Sequence, residues 1–307
     1  MRRTNPNFAI AASLAFAIFL WGGNNTATKW LVQSWPPIVV GQTRFLCAGL
    51  ILVGLLRWTN LFGRPVPISS ATSRRLWLRG GLSLAAYVTC FNWAMRFTSA
   101  SHVALYLGAS PVWALLLEER PGKSLRSLRR YGAAMLALAG VLTLFWPALH
   151  NAKTNLFGET LGLISSVLWT IYGRESRALS TSIPGVEVAA HTMWRAGAWL
   201  LPLAVFELFT TQTLTLTAAM VGIQLYCIIC GGVIAFGIWN NALRFWPPSR
   251  VLLFNNLIPI STITWTHFCL GEPVTPTFCT AMLLIIAGVI LGQSDLLLRT
   301  KQISPPE

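Results

Sequence analysis

The stretch "LWGGNNTATK" (Leu20 to Lys29) places Trp21, Asn24, Asn25 and Thr28 at positions i, i+3, i+4 and i+7. On a helix these four share one face. Amides and an indole gain nothing from hydrocarbon, so in an apolar segment such a face turns to a partner helix or to a water-filled chamber. Its chemistry is hydrogen bonding and stacking, which serves recognition and breaks no bonds. Gly22 and Gly23 beside it admit a close neighbour. A second pair of amides, Asn255 and Asn256, stands just before Pro259, while Gly108 and Ser110 stand just before Pro111. A proline inside a helix removes the donor for the carbonyl four residues earlier, here Leu107 and Asn255. At membrane depth the freed carbonyl needs a substitute partner or a cavity, so Pro111 and Pro259 are read as helix breaks on a substrate path.

Arg44 and Arg195 are the basic residues inside predicted apolar spans. Centring an arginine in a membrane helix costs about 2.5–3.5 kcal/mol on insertion scales. Arg44 lies within two turns of one end of its span and can snorkel from there. Arg195 lies near the middle of its span with no acidic residue one turn away, and an unpaired guanidinium suits a carboxylate or phosphate ligand. Trp21, Trp169 and Trp194 also fall deep, and with Tyr87, Tyr106 and Tyr172 they supply an aromatic lining or core packing. The candidate substrate-binding set is therefore Trp21, Asn24, Asn25, Trp169, Tyr172, Arg195, Asn255 and Asn256.

Other chemistry is excluded by what the chain lacks. No apolar span has a carboxylate at its middle, since Glu159, Glu187 and Glu207 lie near span ends. That argues against coupling through a central acid and favours facilitated export or exchange. No phosphate-cradling glycine loop, nucleophile–base pair or zinc-ligand spacing is present, so neither a cofactor nor a catalytic metal is expected. Cys227-Ile-Ile-Cys230 lacks a second pair, and all six cysteines fall in apolar runs, where they pack as small hydrophobes.

Stepping from residues to the elements that hold them, 54% of the 307 residues are hydrophobic, only 10% are charged, and mean hydropathy is +0.59. A soluble domain carries about 25% charged residues, so the chain is a polytopic membrane protein embedded in a lipid bilayer. The net charge of +14 sits in short connectors and forms no aromatic-laced basic stripe, which excludes nucleic acid as a partner. Apolar runs predict ten spans near 8–29, 38–57, 77–96, 101–117, 131–148, 157–176, 187–208, 221–243, 250–268 and 276–297.

The chain repeats itself. Asn92–Pro111 and Asn240–Pro259, offset by 148 residues (240 − 92 = 148), agree at eight of twenty positions. Leu20-Trp21 recurs as Leu168-Trp169 and Ala139-Gly140-Val141 as Ala287-Gly288-Val289, while Arg44 pairs best with Arg195. Residues 1–150 and 151–307 thus form two five-helix repeats. Five is odd, so the second enters the bilayer inverted, a plan that places a substrate site between the halves near the midplane. The fold expected is all-α, with ten transmembrane helices. With the N-terminus inside, eighteen Lys and Arg fall in inner segments against Lys29, Arg96 and Lys153 outside, which puts both termini in the cytoplasm.

"LWGGNNTATK", "TRFLCAGLILVGL", "FNWAMRFTSASHVALYLGASPVWALLL" and "SRVLLFNNLIPISTITWTHFCLGEPVTP" with "LIIAGVILG" together resemble the EamA-type transporters of the drug/metabolite transporter superfamily. Gly271-Glu272-Pro273 is the most specific part. Its first-half counterpart, Leu117-Glu118-Glu119-Arg120-Pro121, lacks the glycine and comes early, so helix 4 is expected to be short. The resemblance implies ten helices and export of small metabolites or amino acids from the inner membrane. The expected function is alternating-access export of an amino acid or similar carboxylated, and conceivably aromatic, compound by a monomer or weak homodimer. The rivals are a transporter of phosphorylated sugars or nucleotide conjugates, a membrane-embedded enzyme, and a receptor without flux. Cytoplasmic reporters fused after Ser70 and after Arg126 are expected to be active, and an exported reporter active at either site would overturn the orientation.

Overall fold

The computed structural model describes residues 6–63, 65–110, 113–114, 117, 125–150, 155–210, 214–246, 254 and 257–301. Among them the chain is all-helical, with no strand. Helix α1 spans Pro6–Leu31 and α2 Pro37–Trp58. Helix α3 runs through Ser70–Arg75, a π-helical stretch Leu76–Gly81, and Leu82–Phe97. Then come α4 (Ala100–Gly108), α5 (Leu125–His150), α6 (Leu156–Leu179) and α7 (Gly185–Thr210). Helix α8 repeats the composite form as Ala218–Tyr226, π-helical Cys227–Ile234 and Ala235–Phe245. The series closes with α9 (Ile258–Leu270) and α10 (Pro276–Lys301).

Local chemistry sets these boundaries. Ser99, Asn155 and Thr217 accept from backbone N–H groups of His102, Gly158 and Met220 at 3.1, 3.2 and 3.3 Å, so α4, α6 and α8 begin with side-chain caps. Pro37 and Pro259 lie in the first turns of α2 and α9, where a missing N–H leaves no bond unmade. Pro259 therefore stands in the first turn of α9 as described, from Ile258, and residues 247–253 and 255–256, where the sequence predicts an earlier start, lie outside the described residues. Among the described residues three helical stretches suffice by length and composition to cross a membrane, at 7–31, 37–58 and 218–239. The sequence predicts ten spans, and parts of the fourth and ninth, 111–112, 115–116, 250–253 and 255–256, lie outside the described residues.

Small residues bring the rods together. A methyl carbon on Gly49 of α2 would lie 2.3 Å from the Trp194 backbone nitrogen of α7, and one on Gly197 of α7 would lie 2.6 Å from Leu46 Cβ of α2. The crossing of α5 and α10 has the same reciprocity. A methyl carbon on Gly140 would lie 2.8 Å from the Ala281 carbonyl oxygen, and one on Gly288 would lie 2.6 Å from the Ala133 carbonyl oxygen. In hydrocarbon, where apolar burial drives little, such approach supplies the dispersion contact that holds helices together. Both π-helical stretches carry a glycine pair against a neighbour. Gly81 faces Arg195 on α7, and Gly232 faces Ala48 on α2.

Buried apolar residues of α2, α3, α7 and α8 make the main core, and a second cluster joins α4, α5 and α10. The outer surface carries Phe8, Phe206, Phe209, Phe268 and Leu283, each at least 67% exposed, as a lipid-facing surface requires. Gly49→Ala is expected to lower the melting temperature of detergent-purified protein, since overpacking typically costs about 1–3 kcal/mol. Gly173→Ala, with no atom within 4 Å of the added carbon, is expected to hold or raise it.

Candidate functional site

Arg44 does not snorkel. It is 5% exposed, and its Nη1 donates to Thr28 Oγ1 at 3.0 Å and, more weakly, to Asn24 Oδ1 at 3.5 Å. Thr28 in turn donates to the Asn24 carbonyl at 2.8 Å. The guanidinium carbon lies 4.5 Å from the centre of the Phe45 ring and 5.9 Å from that of Phe91, distances at which a cation is attracted to a ring face. Among the described residues no carboxylate pairs with it. Cys227 of the second π-helical stretch is fully buried beside Thr28 and within charge range of Arg44.

An aromatic run leads away from this cation. Phe91 meets Tyr87 at 5.4 Å between ring centres, Tyr87 meets Trp169 at 4.9 Å, and Trp169 meets Tyr172 at 5.4 Å. Tyr172 ends the run by sharing a 3.1 Å hydrogen bond with Thr192 of α7. A buried, incompletely paired guanidinium next to amide and hydroxyl groups and a row of rings can receive a carboxylate and pack an apolar or aromatic body.

Arg195 is differently placed. Its Nη1 donates to the His191 carbonyl at 3.1 Å and lies 3.2 Å from His191 Nδ1, and its Nη2 donates to Ser73 Oγ at 3.3 Å. The guanidinium sits 4.3 Å from the Trp194 ring centre and 5.4 Å from that of Trp77. Most of its fork is therefore engaged by protein, and only Nε is buried without a partner.

Of the other residues expected at the site, Asn24, Trp169 and Tyr172 gather around Arg44 and its aromatic run. Trp21 donates to the Gly231 carbonyl at 3.0 Å and Asn25 to Thr262 Oγ1 at 3.0 Å, so both tie α1 to other helices. Pro111, Asn255 and Asn256 lie outside the described residues. Sequence reasoning expected Arg44 to snorkel and named Tyr87 among the aromatic candidates, but it left out Phe91, whose apolar spacing carries no signal of a run.

Glu159, Glu187 and Glu207 lie near helix ends as expected, and they are buried there, at 1%, 2% and 7% exposed. Glu207 accepts from the backbone N–H groups of Ile38 and Val39 at 2.7 and 3.2 Å, at the head of α2. Glu272 does the same for α4, accepting from Ala100 N at 2.9 Å, Ser101 N at 3.2 Å and Ser101 Oγ at 2.6 Å. Gly271, left-handed at φ 68°, ends α9 and turns the chain so that Glu272 can reach. Glu159 accepts from Tyr106 at 2.6 Å, lies 2.8 Å from His102 Nδ1 and bonds Thr98. Glu159 and Glu272 line a cavity of about 430 Å³ at the end of the bundle where α1 finishes. At the opposite end Glu187 and His191 line a second cavity of about 330 Å³. Among the described residues no group of His, Cys, Asp or Glu is arranged to hold a metal ion.

The EamA-like transporter family model matches residues 8–146 and 156–292. The "Probable terminal-alkyne amino-acid exporter" of Streptantibioticus cattleyicolor is 24% identical over 94% of this chain and 97% of that protein. The "Probable amino-acid metabolite efflux pump" of Salmonella typhimurium is 22% identical over 90% of this chain and 91% of its own. An uncharacterized inner membrane transporter of Escherichia coli (strain K12) is 24% identical over 90% and 88%. A solved crystal structure superposes with TM-score 0.63 over 96% of this chain and 99% of its own at 18% identity, a likeness of fold alone.

Proposed function

The chain belongs to the EamA-like transporter family, and on that footing we propose that it exports carboxylated metabolites, amino acids foremost, across the inner membrane by alternating access. Membership makes it a multi-pass membrane transporter of small molecules and not an enzyme. The substrate class rests on one observation, the buried Arg44 guanidinium that no carboxylate pairs, set between the Asn24–Thr28 pair and the Phe91–Tyr87–Trp169–Tyr172 rings. Leaving such a charge unpaired in an apolar interior is costly, and an anionic ligand relieves that cost. The printed names of the two amino-acid exporters among the relatives support the same class.

Arg44, named from sequence beside its repeat partner Arg195, takes the anion-binding role in this reading, because Ser73 and His191 already engage Arg195. Alternating access is supported by the reciprocal crossings. Gly49 against Trp194 and Gly197 against Leu46 exchange places under the same 148-residue offset, as do Gly140 against Ala281 and Gly288 against Ala133. Reciprocal contacts of this kind are the mark of a two-fold relation. In this reading ten spans form two inverted five-helix repeats, residues 1–150 and 151–307, with both termini cytoplasmic and the Glu159–Glu272 end facing outward.

In proteoliposomes Arg44→Ala is expected to lower affinity for a carboxylated substrate about ten- to a hundredfold, the equivalent of roughly 1.5–3 kcal/mol in charged hydrogen bonds. Arg44→Lys is expected to fall between, because a point charge replaces a planar fork. Wild type and Arg195→Ala should both prefer the acid to its amidated analogue, and Arg44→Ala should not. If Arg195→Ala alone loses that preference, the anion is read at Arg195 instead.

A further inference from the structure

At the end of the bundle where α2 finishes, Arg57, Glu187 and His191 line the cavity of about 330 Å³ together with Val53, Leu56 and the 65–68 segment. That volume lies within the range of small-molecule sites, roughly 300–1,000 Å³. Glu187 is 2% exposed. Its Oε1 accepts from the Val66 backbone N–H at 3.0 Å, and its Oε2 is buried with no partner among the described residues. A buried carboxylate oxygen without a donor is destabilising, and a donor from a bound ligand would relieve that cost.

The second observation is a charge that does not meet it. Arg57 lines the same cavity from α2, yet it forms no ion pair with Glu187 within 4 Å. Opposite charges facing one small space without touching leave room for a ligand that carries both. The remaining walls, Val53, Leu56, Val66 and Ile68, are apolar. His191, which also lines the cavity, lies against Arg195 and so joins the walls to the first cation on the α7 path inward.

We infer that this cavity is a loading site for an apolar α-amino acid, its ammonium on Glu187 Oε2, its carboxylate on Arg57 and its side chain on the α2 and 65–68 walls. The inference rests on the export reading, which puts this end in the cytoplasm, and it narrows the substrate from carboxylates in general to zwitterions. A lone carboxylate would satisfy Arg57 and leave Glu187 unpartnered, and a lone amine would do the reverse.

Equilibrium dialysis of radiolabelled L-leucine against purified Arg44→Ala protein tests this, because the central site there lacks its cation. Saturable binding is expected. A further Glu187→Gln change, which keeps an acceptor for Val66, should weaken L-leucine at least tenfold. It should also abolish competition by 3-methylbutylamine, which lacks the carboxylate, while leaving competition by 4-methylpentanoate, which lacks the ammonium. Arg57→Gln, at an exposed position that carries little folding risk, should show the opposite pattern with the two competitors. No saturable L-leucine binding, or competitor losses that do not sort by charge, overturns the assignment. Flux is a separate readout. Charge-sorted binding without L-leucine transport by wild type leaves the site standing and removes the export reading, while transport without such binding removes the site alone.

Discussion

Polar groups that leave water in this protein are met largely by partners inside it, and much of the architecture follows from that constraint. Helix heads show it first. The opening N–H groups of α2 and α4 have no residue of their own helix to bond, and carboxylates from distant chain segments, Glu207 and Glu272, supply the acceptors. The acid therefore does two jobs, satisfying backbone donors and fixing where one helix begins relative to another. The family signature Gly271-Glu272-Pro273 has a physical reading in these terms. The glycine turns the chain, the acid caps a neighbour, and the proline keeps the segment from resuming the helix.

The same constraint separates the two buried arginines. Both interrupt an apolar helix, and each lies against aromatic rings. Arg195 is bonded to its own helix at His191 and to α3 at Ser73, whereas Arg44 has only Thr28 and a long contact to Asn24. A guanidinium offers five N–H donors. The one that has given away fewer of them has more left for a ligand.

These differences also mark how far the sequence could be read. The polar stripe of α1 was legible as an inward face because its spacing is local, and Asn24, Asn25 and Thr28 are at most 8% exposed. The helical class was legible for the same reason. Arg44 and Arg195 could not be ranked, because Ser73 lies 122 residues from Arg195 along the chain and linear distance from a helix end says nothing of such partners. That the acids at the helix ends are buried was hidden on the same ground. Glu159 lies near the start of α6, but Thr98, His102 and Tyr106 fold over it. Whether Pro259 ends one helix or begins another depends on residues that carry no periodic signal.

Cys227 gives this arrangement a clock. Its thiol is fully buried, lies beside Thr28 and Arg44, and belongs to a π-helical stretch whose glycines pack on α1 and α2. Cys47 and Cys269, by contrast, are exposed on the outer surface of the helices. In the export reading, a small water-soluble thiol reagent reaches Cys227 by the route that a substrate takes to Arg44. The slow fraction of alkylation in the unaltered protein is thus a measure of how often the chamber opens, and the side from which the reagent is added tells which door was used.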